Sequence, residues 1–171
     1  MASDLDRAAA LIAAIPDFPE PGIVFRDISP LLADPDALRV VVDAMTAPFA
    51  GSFDVVAGVE ARGFLLAGAI AAATGTGLVP IRKAGKLPRA AASVAYDLEY
   101  GTAIIEMAAD LPGGMRVLLV DDVLATGGTL RAARELLGML GYVVAGTAVL
   151  MELDGLGGRE AYGPVHTVFR V

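Results

Sequence analysis

The sequence predicts an α/β protein built on a doubly wound, mostly parallel sheet with helices on both faces. Residues 117–120 form an apolar run without polar alternation, which is typical of a central parallel strand covered on both sides. Segments with strand and helix patterns alternate along most of the chain, as in successive βα units. With 171 residues, 56% hydrophobic and 6% aromatic, the chain has the material for one core of small side chains, and we expect a single domain over residues 1–171.

The first segment is expected to fold as a helix. Ser3 with Asp6 three positions later has the pattern of an N-cap with an acidic third position, and Pro16 should end the helix. A second helix should begin at Asp34 and Pro35, which suit the N-cap and the first helical position. Its predicted inward-facing residues are Leu38, Val41, Val42, Met45 and Phe49.

The middle of the chain predicts a strand, a helix, a second strand and a hairpin. We expect the first strand at residues 54–58, the helix from Gly63 to about Thr74 and a buried strand at 78–81. Residues 63–81 carry no charge, but glycines and a proline interrupt them, so we do not expect a membrane span. Residues 93–98 and 102–107 are expected to form a hairpin arm outside the βα pattern.

The last third of the chain predicts another helix and strand. The helix should cover residues 128–140 and stop at Gly141, and the strand should cover 143–151. The residues expected to face inward on the helix are Leu130, Ala133, Leu136, Leu137 and Leu140.

Charge and composition exclude several classes of function. A net charge of −7 argues against nucleic acid as a partner, because binding to a phosphate backbone relies on a basic face. The chain has no cysteine, which excludes disulfides and thiolate chemistry and makes a reducing cytoplasm the expected compartment. The single histidine, His166, leaves no histidine cluster for a metal and argues against a histidine-based triad. We therefore expect the function to lie in a small site.

Two adjacent carboxylates and a small-residue loop follow the apolar run 117–120. Asp121 and Asp122 can accept hydrogen bonds from a vicinal diol, at the strand end where ligands of parallel sheets bind. Backbone N–H groups and hydroxyls at the next helix N-terminus suit a phosphate, and the residues that supply them are Ala125, Thr126, Gly127, Gly128 and Thr129. The glycines keep the amides accessible and allow a positive φ. The pattern predicts a ribose-phosphate cradle, and the alternative is a plain strand, turn and helix with solvated acids.

A second anion site is predicted upstream of this cradle. Arg62 stands at a helix start after the strand 54–58, where it could bind an anion, although such an arginine is often only solvated or salt-bridged. Positive charge is concentrated within residues 82–89, at Arg82, Lys83, Lys86 and Arg89, and these two lysines are the only ones in the chain. A diphosphate would need such a patch, whereas the alternative is a solvated basic loop.

Taken together, the motifs resemble those of the type I phosphoribosyltransferases, and more narrowly the adenine-specific branch of that family. The motifs are residues 16–30, PDFPEPGIVFRDISP; 60–64, EARGF; 81–88, IRKAGKLP; 96–101, YDLEYG; and the cradle at 117–129. The resemblance covers nearly the whole chain. It implies the type I phosphoribosyltransferase fold, with a base-binding segment at 16–30 and a hairpin arm at 84–107 that closes over the site.

The resemblance implies a role for each motif in binding 5-phosphoribosyl 1-diphosphate (PRPP). Asp121 and Asp122 would hold the ribose hydroxyls, and residues 125–129 would hold the 5′-phosphate. The implied diphosphate-binding residues are Glu60, Ala61, Arg62, Arg82, Lys83 and Lys86. The Glu60–Ala61 peptide is expected to be cis, as in relatives.

Adenine recognition is implied for Val24, Phe25, Arg26 and Leu153. Phe25 would stack on one face of the base and Leu153 would pack on the other, while backbone groups of Val24 and Arg26 would distinguish adenine from a 6-oxopurine by its donor pattern. From the residues alone, an ordinary core position is the favoured interpretation of Phe25. No lysine follows residue 86, whereas hypoxanthine-guanine relatives use one beyond the PRPP loop, so this absence favours adenine.

The implied reaction is transfer of the phosphoribosyl group from PRPP to N9 of adenine, giving AMP and diphosphate. Glu99 and Arg62 are the implied catalytic residues; Glu99, near the tip of the arm, would accept or relay the N9 proton, and its alternative is a solvated turn residue. Mg²⁺ is the implied cofactor, bound through PRPP and not directly by the protein. The resemblance also implies a homodimer, and we expect no nucleic acid or membrane partner.

Two other functions stay open on sequence grounds. A phosphoribosyltransferase for a different base is the nearer alternative. A PRPP-sensing regulator could keep the cradle without catalysis, but such proteins usually add a DNA-binding segment, for which this chain has neither spare length nor a basic helix.

Overall fold

The computed structural model describes residues 3–97 and 101–171, and it divides the chain into two compact units, Met1–Ala44 and Met45–Val171. Each unit is built around its own secondary structure. A single domain over the whole chain stays a prediction.

The first unit contains short helices and a two-stranded sheet. Its elements are α1 (Asp4–Ala9), β1 (Ala13–Pro16), β2 (Val24–Asp27), α2 (Ser29–Ala33) and the first part of α3 (Pro35–Thr46). The predicted cap is confirmed, because Ser3 Oγ accepts from the N–H of Asp6 at 3.1 Å and the Asp6 carboxylate accepts from the N–H of Ser3 at 2.8 Å. The predicted length is wrong, since the helix ends at Ala9. Residues 13–16 instead pair antiparallel with residues 24–27, and a strand's ladder uses the backbone groups that a longer helix would need.

The start of α3 follows the sequence prediction. Asp34 Oδ1 accepts hydrogen bonds from the N–H groups of Asp36 at 3.0 Å and Ala37 at 2.8 Å, which satisfies two otherwise unpaired donors of the first turn. The predicted residues Val41, Val42 and Met45 are buried, and Leu38 is half-buried. Phe49 lies beyond α3, in a short 3₁₀ helix at Ala47–Phe49.

The second unit is built on a seven-stranded, mostly parallel sheet. Its strands are β3 (Val55–Val59), β4 (Gly77–Lys83), β5 (Ala92–Asp97), β6 (Thr102–Met107), β7 (Arg116–Leu124), β8 (Val143–Glu152) and β9 (His166–Arg170). The strand order is β5-β6-β4-β3-β7-β8-β9. Strands β4, β3, β7, β8 and β9 run parallel, as predicted, and β5 and β6 form an antiparallel hairpin at one edge.

Helices cover the two faces of this sheet. They are α4 (Arg62–Thr74) and α5 (Gly128–Met139), and a short helix α6 (Gly158–Tyr162) follows β8. On β3, the face that carries Gly58 lies against α4, since a Cβ on Gly58 would be 2.7 Å from the Cβ of Ala67. The opposite face, with Val55, Ala57 and Val59, shares its buried cluster with α5. Because both faces are covered, every residue of β3 is buried, as its uninterrupted apolar pattern predicts.

The hairpin arm is more closely tied to the sheet than predicted. Its strands pair from Ala92↔Met107 to Asp97↔Thr102, and β6 also pairs antiparallel with β4 at Arg82↔Glu106 and Lys83↔Ile105. The arm is therefore an edge extension of the sheet and not a separate structure. This pairing places the basic residues at the end of β4 beside the arm.

No helix among residues 3–97 and 101–171 has the length and apolar character needed to cross a membrane. The uncharged stretch 63–81 is divided into α4 and β4, as predicted. Gly75, with φ +68, ends α4 at its left-handed C-cap position.

Candidate active site

A cavity of about 630 Å³ lies at the carboxyl ends of β3 and β7 in the second unit. Most of the residues that line it come from three regions that the sequence singled out. They are Glu60, Ala61 and Arg62 after β3; Asp121, Asp122 and Thr129 of the cradle; and Tyr96, Thr102, Ala103 and Ile104 of the hairpin arm. Lys83 of the basic segment also lines it. The structure therefore brings both predicted ribose residues and part of the predicted phosphate and diphosphate sets to one cavity, at the end of the sheet where ligands of parallel sheets bind. The predicted residues that do not line it are Ala125, Thr126, Gly127, Gly128, Arg82 and Lys86.

The acid pair lies inside β7 and not after it. The strand continues to Leu124, so Asp121 and Asp122 are only 8% and 5% exposed, and the interpretation as solvated acids is wrong. Asp121 Oδ1 accepts a hydrogen bond from the N–H of Asp122 at 2.8 Å. A Cβ on Gly63 would be 2.9 Å from Asp121 Oδ1, so only glycine allows the start of α4 to approach this closely.

Burial raises the pKa of both acids. The pKa of Asp121 is raised well above its usual range, first by burial and then by the neighbouring charge of Asp122. Burial also raises the pKa of Asp122, while the guanidinium of Arg62 acts in the opposite direction. Arg62 Nη2 lies 2.7 Å from Asp122 Oδ2, an ion-pair contact without hydrogen-bond geometry. The site thus holds carboxylates whose charged forms would gain from polar partners such as ribose hydroxyls.

The predicted phosphate loop, residues 125–129, covers the turn after β7 and the first two residues of α5. Gly127 is the N-cap of α5, and its φ of +82° confirms the positive φ expected there. Residues other than glycine rarely adopt such a φ. Gly128 is the first residue of the helix, so the open N–H groups of the first turn lie next to the loop. Thr129 Oγ1 donates a hydrogen bond to the Tyr96 hydroxyl at 3.3 Å, which links the loop to the hairpin arm.

Two carboxylates, Glu60 and Glu106, bind the basic segment, residues 82–89. Glu60, whose side chain is 9% exposed, accepts from the N–H of Lys83 at 2.9 Å and pairs with the Lys86 ammonium. Arg82 Nε lies 3.5 Å from Glu60, again without hydrogen-bond geometry. Lys86 is the first cause that holds the pKa of Glu60 below its usual value. Glu60 therefore faces the predicted diphosphate-binding cations, and a direct contact of Glu60 with diphosphate stays a prediction.

Glu106 is the second of these carboxylates, and sequence reasoning missed it. Its Oε1 accepts from the N–H groups of Lys86 at 3.0 Å and Leu87 at 2.9 Å, and the N–H of Leu87 is the first cause that lowers the pKa of Glu106. The available signal was a carboxylate within the apolar strand residues Ile104, Ile105 and Met107, because a charged side chain buried in a sheet needs partners.

The Glu60–Ala61 peptide is cis, as the resemblance implies. Ala61 is the N-cap of α4, and Arg62 is its first residue. Arg62 is salt-bridged, as the alternative interpretation held, yet it also lines the cavity. Its binding of diphosphate stays a prediction.

The residues implied in adenine binding lie on β2 and just after β8. Val24, Phe25 and Arg26 lie on β2 of the first unit, where Phe25 is half-buried and meets Phe18 edge-to-face at 5.3 Å between ring centroids. Leu153 follows β8 in the second unit, and its N–H donates to the carbonyl of Leu124 at 2.9 Å. Glu99 lies outside the described residues, so its predicted catalytic role stays a prediction.

Comparison with known proteins shows which family this chain resembles in sequence and structure. The family described as phosphoribosyl transferase domain matches residues 39–169. A protein of Renibacterium salmoninarum named adenine phosphoribosyltransferase is 62% identical over 157 residues, which cover 91% of this chain and 86% of that protein. The adenine phosphoribosyltransferase of Rhodothermus marinus has a crystal structure similar to this one, with a TM-score of 0.92, 46% identity and 98% of each chain covered. The APRTase of Giardia lamblia, solved with 9-deazaadenine, has a TM-score of 0.90 at 41% identity, over 100% of this chain and 99% of its own.

Proposed function

The chain belongs to the phosphoribosyltransferase family, and on that premise we propose that it transfers the 5-phosphoribosyl group of PRPP to N9 of adenine, giving AMP and diphosphate. One observation supports this above all: a single cavity is lined by the buried acids Asp121 and Asp122, by Arg62 and by the hairpin arm. A vicinal diol and a diphosphate leaving group need acceptors and cations side by side, and PRPP carries both.

The acids and the phosphate loop would orient the ribose. Asp121 and Asp122 would accept hydrogen bonds from its hydroxyls, and the N–H groups of residues 125–129 would bind the 5′-phosphate at the start of α5. With both ends of the ribose phosphate held, the anomeric carbon is presented to N9 in one orientation. Catalysis would then be mainly positioning.

The cations would stabilise the leaving diphosphate. Arg62, Arg82, Lys83 and Lys86 are the cationic candidates, and negative charge builds on the diphosphate as its bond to the anomeric carbon breaks. Glu60 would keep Lys83 and Lys86 in place, since it contacts both of them in the structure.

Magnesium is the proposed cofactor, held through PRPP. Mg²⁺ prefers oxygen ligands and phosphates, and the carboxylate oxygens of Asp121 and Asp122 are hard donors of that kind in the cavity. Among the described residues, no group of three acidic, histidine or cysteine side chains could hold a metal ion by itself. The donor set fits an ion that the substrate brings, and the ion would supply positive charge to the diphosphate.

The base and the arm complete the proposal. The roles of Val24, Phe25, Arg26 and Leu153 in adenine recognition are proposed from the family resemblance, and Glu99 would accept or relay the N9 proton. The arm, whose residues Tyr96, Thr102 and Ile104 line the cavity, would exclude water during transfer. We also propose a homodimer in the cytoplasm, acting in purine salvage, which family membership and the cysteine-free sequence support.

A product assay with a panel of bases tests this function. The protein should form a nucleotide from PRPP and adenine, and none at a comparable rate from hypoxanthine, guanine, xanthine or orotate. Preference for another base would favour a different phosphoribosyltransferase. PRPP binding without any product would favour a PRPP-sensing regulator.

A further inference from the structure

The backbone of α6 lies directly against the phosphate loop. A Cβ on Gly158 would be 2.1 Å from the carbonyl oxygen of Ala125 and 2.9 Å from Leu124 Cδ1. The contact is reciprocal, because a Cβ on Gly127 would be 2.8 Å from the carbonyl oxygen of Gly158. Neither position can take a side chain unless the two backbones separate.

The helix that supplies this contact is firmly anchored, and we call Gly158–Tyr162 the α6 platform. Arg159 pairs with the buried carboxylate of Glu152 at the end of β8 and donates to the carbonyl of Val165 at 2.9 Å and the hydroxyl of Thr167 at 3.0 Å. Arg159 is the first cause that lowers the pKa of Glu152. The first turn of the platform is therefore tied to both β8 and β9.

The other end of the α6 platform is anchored as well. The Tyr162 hydroxyl is hydrogen-bonded to the buried hydroxyl of Thr147 on β8. The Arg134 guanidinium of α5 lies 3.8 Å from the Tyr162 ring centroid and donates to the Tyr162 carbonyl at 3.2 Å. A helix held at both ends moves little, so a clash at its surface would displace the phosphate loop more readily than the platform.

The direction of the Ala125 carbonyl explains why this contact would matter to a phosphate. In a trans peptide the C=O and the following N–H point in opposite directions. The Ala125 oxygen is the nearest atom that a Cβ on Gly158 would meet, so the carbonyl faces the platform and the N–H of Thr126 points away from it. A side chain at residue 158 would push this carbonyl and turn the Thr126 amide with it.

We propose that Gly158 is a positioning residue, which sets the depth and the amide orientation of the 5′-phosphate loop, with the Arg159–Glu152 ion pair holding it in place. This inference rests on the proposed function, since it assigns the loop to the 5′-phosphate. It predicts a selective loss for ligands with a 5′-phosphate. Diphosphate binds at Arg62, Arg82, Lys83 and Lys86 in that function, and the platform makes none of the contacts described for those residues.

The test compares two ligands in the Gly158→Ala variant. In the reverse reaction, the KM for AMP should rise about 10- to 100-fold, while the KM for diphosphate and the kcat at saturation change little. Titration with ribose 5-phosphate, which has no base, should show the same loss. The control is Gly113→Ala, because a Cβ at that loop glycine meets no atom within 4 Å and its φ is not positive.

A second variant keeps the inference falsifiable should Gly158→Ala fail to fold. Arg159→Lys keeps the charge but loses part of the fork of hydrogen bonds to Glu152, Val165 and Thr167, so it should weaken ribose 5-phosphate binding to a smaller extent. Unchanged ribose 5-phosphate affinity in a folded variant, or an equal loss for diphosphate, would overturn the inference. A wild-type protein that does not use PRPP would instead overturn the proposed function itself.

Discussion

At the scale of single residues, the site contains two buried carboxylates whose charged forms are unfavourable. Two adjacent carboxylates, Asp121 and Asp122, are buried inside a strand, and burial raises the pKa of both. Arg62 compensates one of them directly, through its contact with Asp122. Asp121 has a backbone N–H as partner, which offsets only part of the cost of burying its charge. A ligand that donates hydrogen bonds here would relieve that cost.

We therefore expect Asp121→Asn to stabilise the free protein and weaken PRPP binding. Because the folded pKa of Asp121 is raised, its contribution to stability is full below the unfolded pKa, about 3.9, and is lost as pH rises through the folded value. The variant should have a higher Tm near neutral pH, with the gain shrinking towards about pH 4. PRPP binding should lose about 1.5–3 kcal/mol through the missing charged hydrogen bond.

Thermal unfolding across pH and calorimetry with PRPP measure these two effects. Asp122→Asn is the matched control, since it removes the partner of Arg62 and should gain less in Tm. A lower Tm for Asp121→Asn near neutral pH would contradict the inferred cost of burying the Asp121 charge.

Glu99, which lies outside the described residues, carries a separate catalytic prediction. Glu99→Gln keeps the shape and removes the charge, so kcat should fall about 10²-fold or more while the KM for adenine changes little. Asp97→Asn, a neighbouring exposed carboxylate on the arm, should have a much smaller effect. A normal single-turnover rate for Glu99→Gln across pH would leave catalysis to the phosphate-binding groups and magnesium.

At the scale of elements, an ion pair joins the starts of β3 and β7, at the opposite ends of these strands from the site. The Asp54 carboxylate, before β3, accepts from the N–H of Arg116 at 3.0 Å and from its Nε at 3.1 Å, and the N–H of Asp54 donates to the Arg116 carbonyl at 2.8 Å. Arg116 lowers the pKa of Asp54 to about 2. This pair aligns β3 with β7, whose far ends carry the cavity residues.

Asp54→Asn should reduce stability without changing the kinetics. A lowered folded pKa means that Asp54 stabilises the fold above its unfolded value, about 3.9, and that this contribution is lost as pH falls towards about 2. The Tm difference from wild type should be largest near neutral pH and disappear in that acid window. Asp36→Asn, which breaks an exposed pair with Arg39 on α3, is the control and should change Tm little.

Glu106 holds the turn between β4 and β5 by accepting hydrogen bonds from two of its N–H groups. Glu106→Ala would leave the N–H groups of Lys86 and Leu87 without their acceptor, and the KM for diphosphate should rise several-fold at an unchanged KM for AMP. Glu106→Gln keeps an acceptor oxygen and should be milder. This pattern is the reverse of that expected for Gly158→Ala, and an equal rise in both KM values would show a general distortion instead.

At the scale of the whole molecule, a net charge of −7 opposes the binding of a polyanionic substrate. The only two lysines of the chain lie in the basic segment, which locally reverses that charge. Magnesium would reduce the charge of PRPP before or as it binds.

Removing magnesium with a chelator should therefore weaken PRPP binding. Adding monovalent salt to the magnesium buffer, up to the ionic strength of the chelator buffer, should weaken it far less. Calorimetric titrations in the two buffers measure the difference. Equal weakening by both treatments would indicate general screening and contradict a specific role for the ion.

The sequence by itself determined the elements whose signals are local. The apolar run of β7, the acid pair, the glycines of the cradle and the first turn of α5 follow one another within residues 117–129, so each predicts its neighbour. The strand, helix and strand from β3 to β4 were predicted for the same reason. Hydrophobic periodicity and turn residues act over a few positions, and these can be read directly along the chain.

Only the tertiary structure decided what depends on partners far along the chain. The end of α1 was set by pairing of β1 with β2, and the burial of Asp121 by the close approach of α4 at Gly63. The contact of Gly158 with Ala125 joins residues 33 positions apart, and no local pattern encodes it. Such contacts arise when the sheet brings strand ends together, because side-chain packing and backbone clearance are properties of the assembled layers.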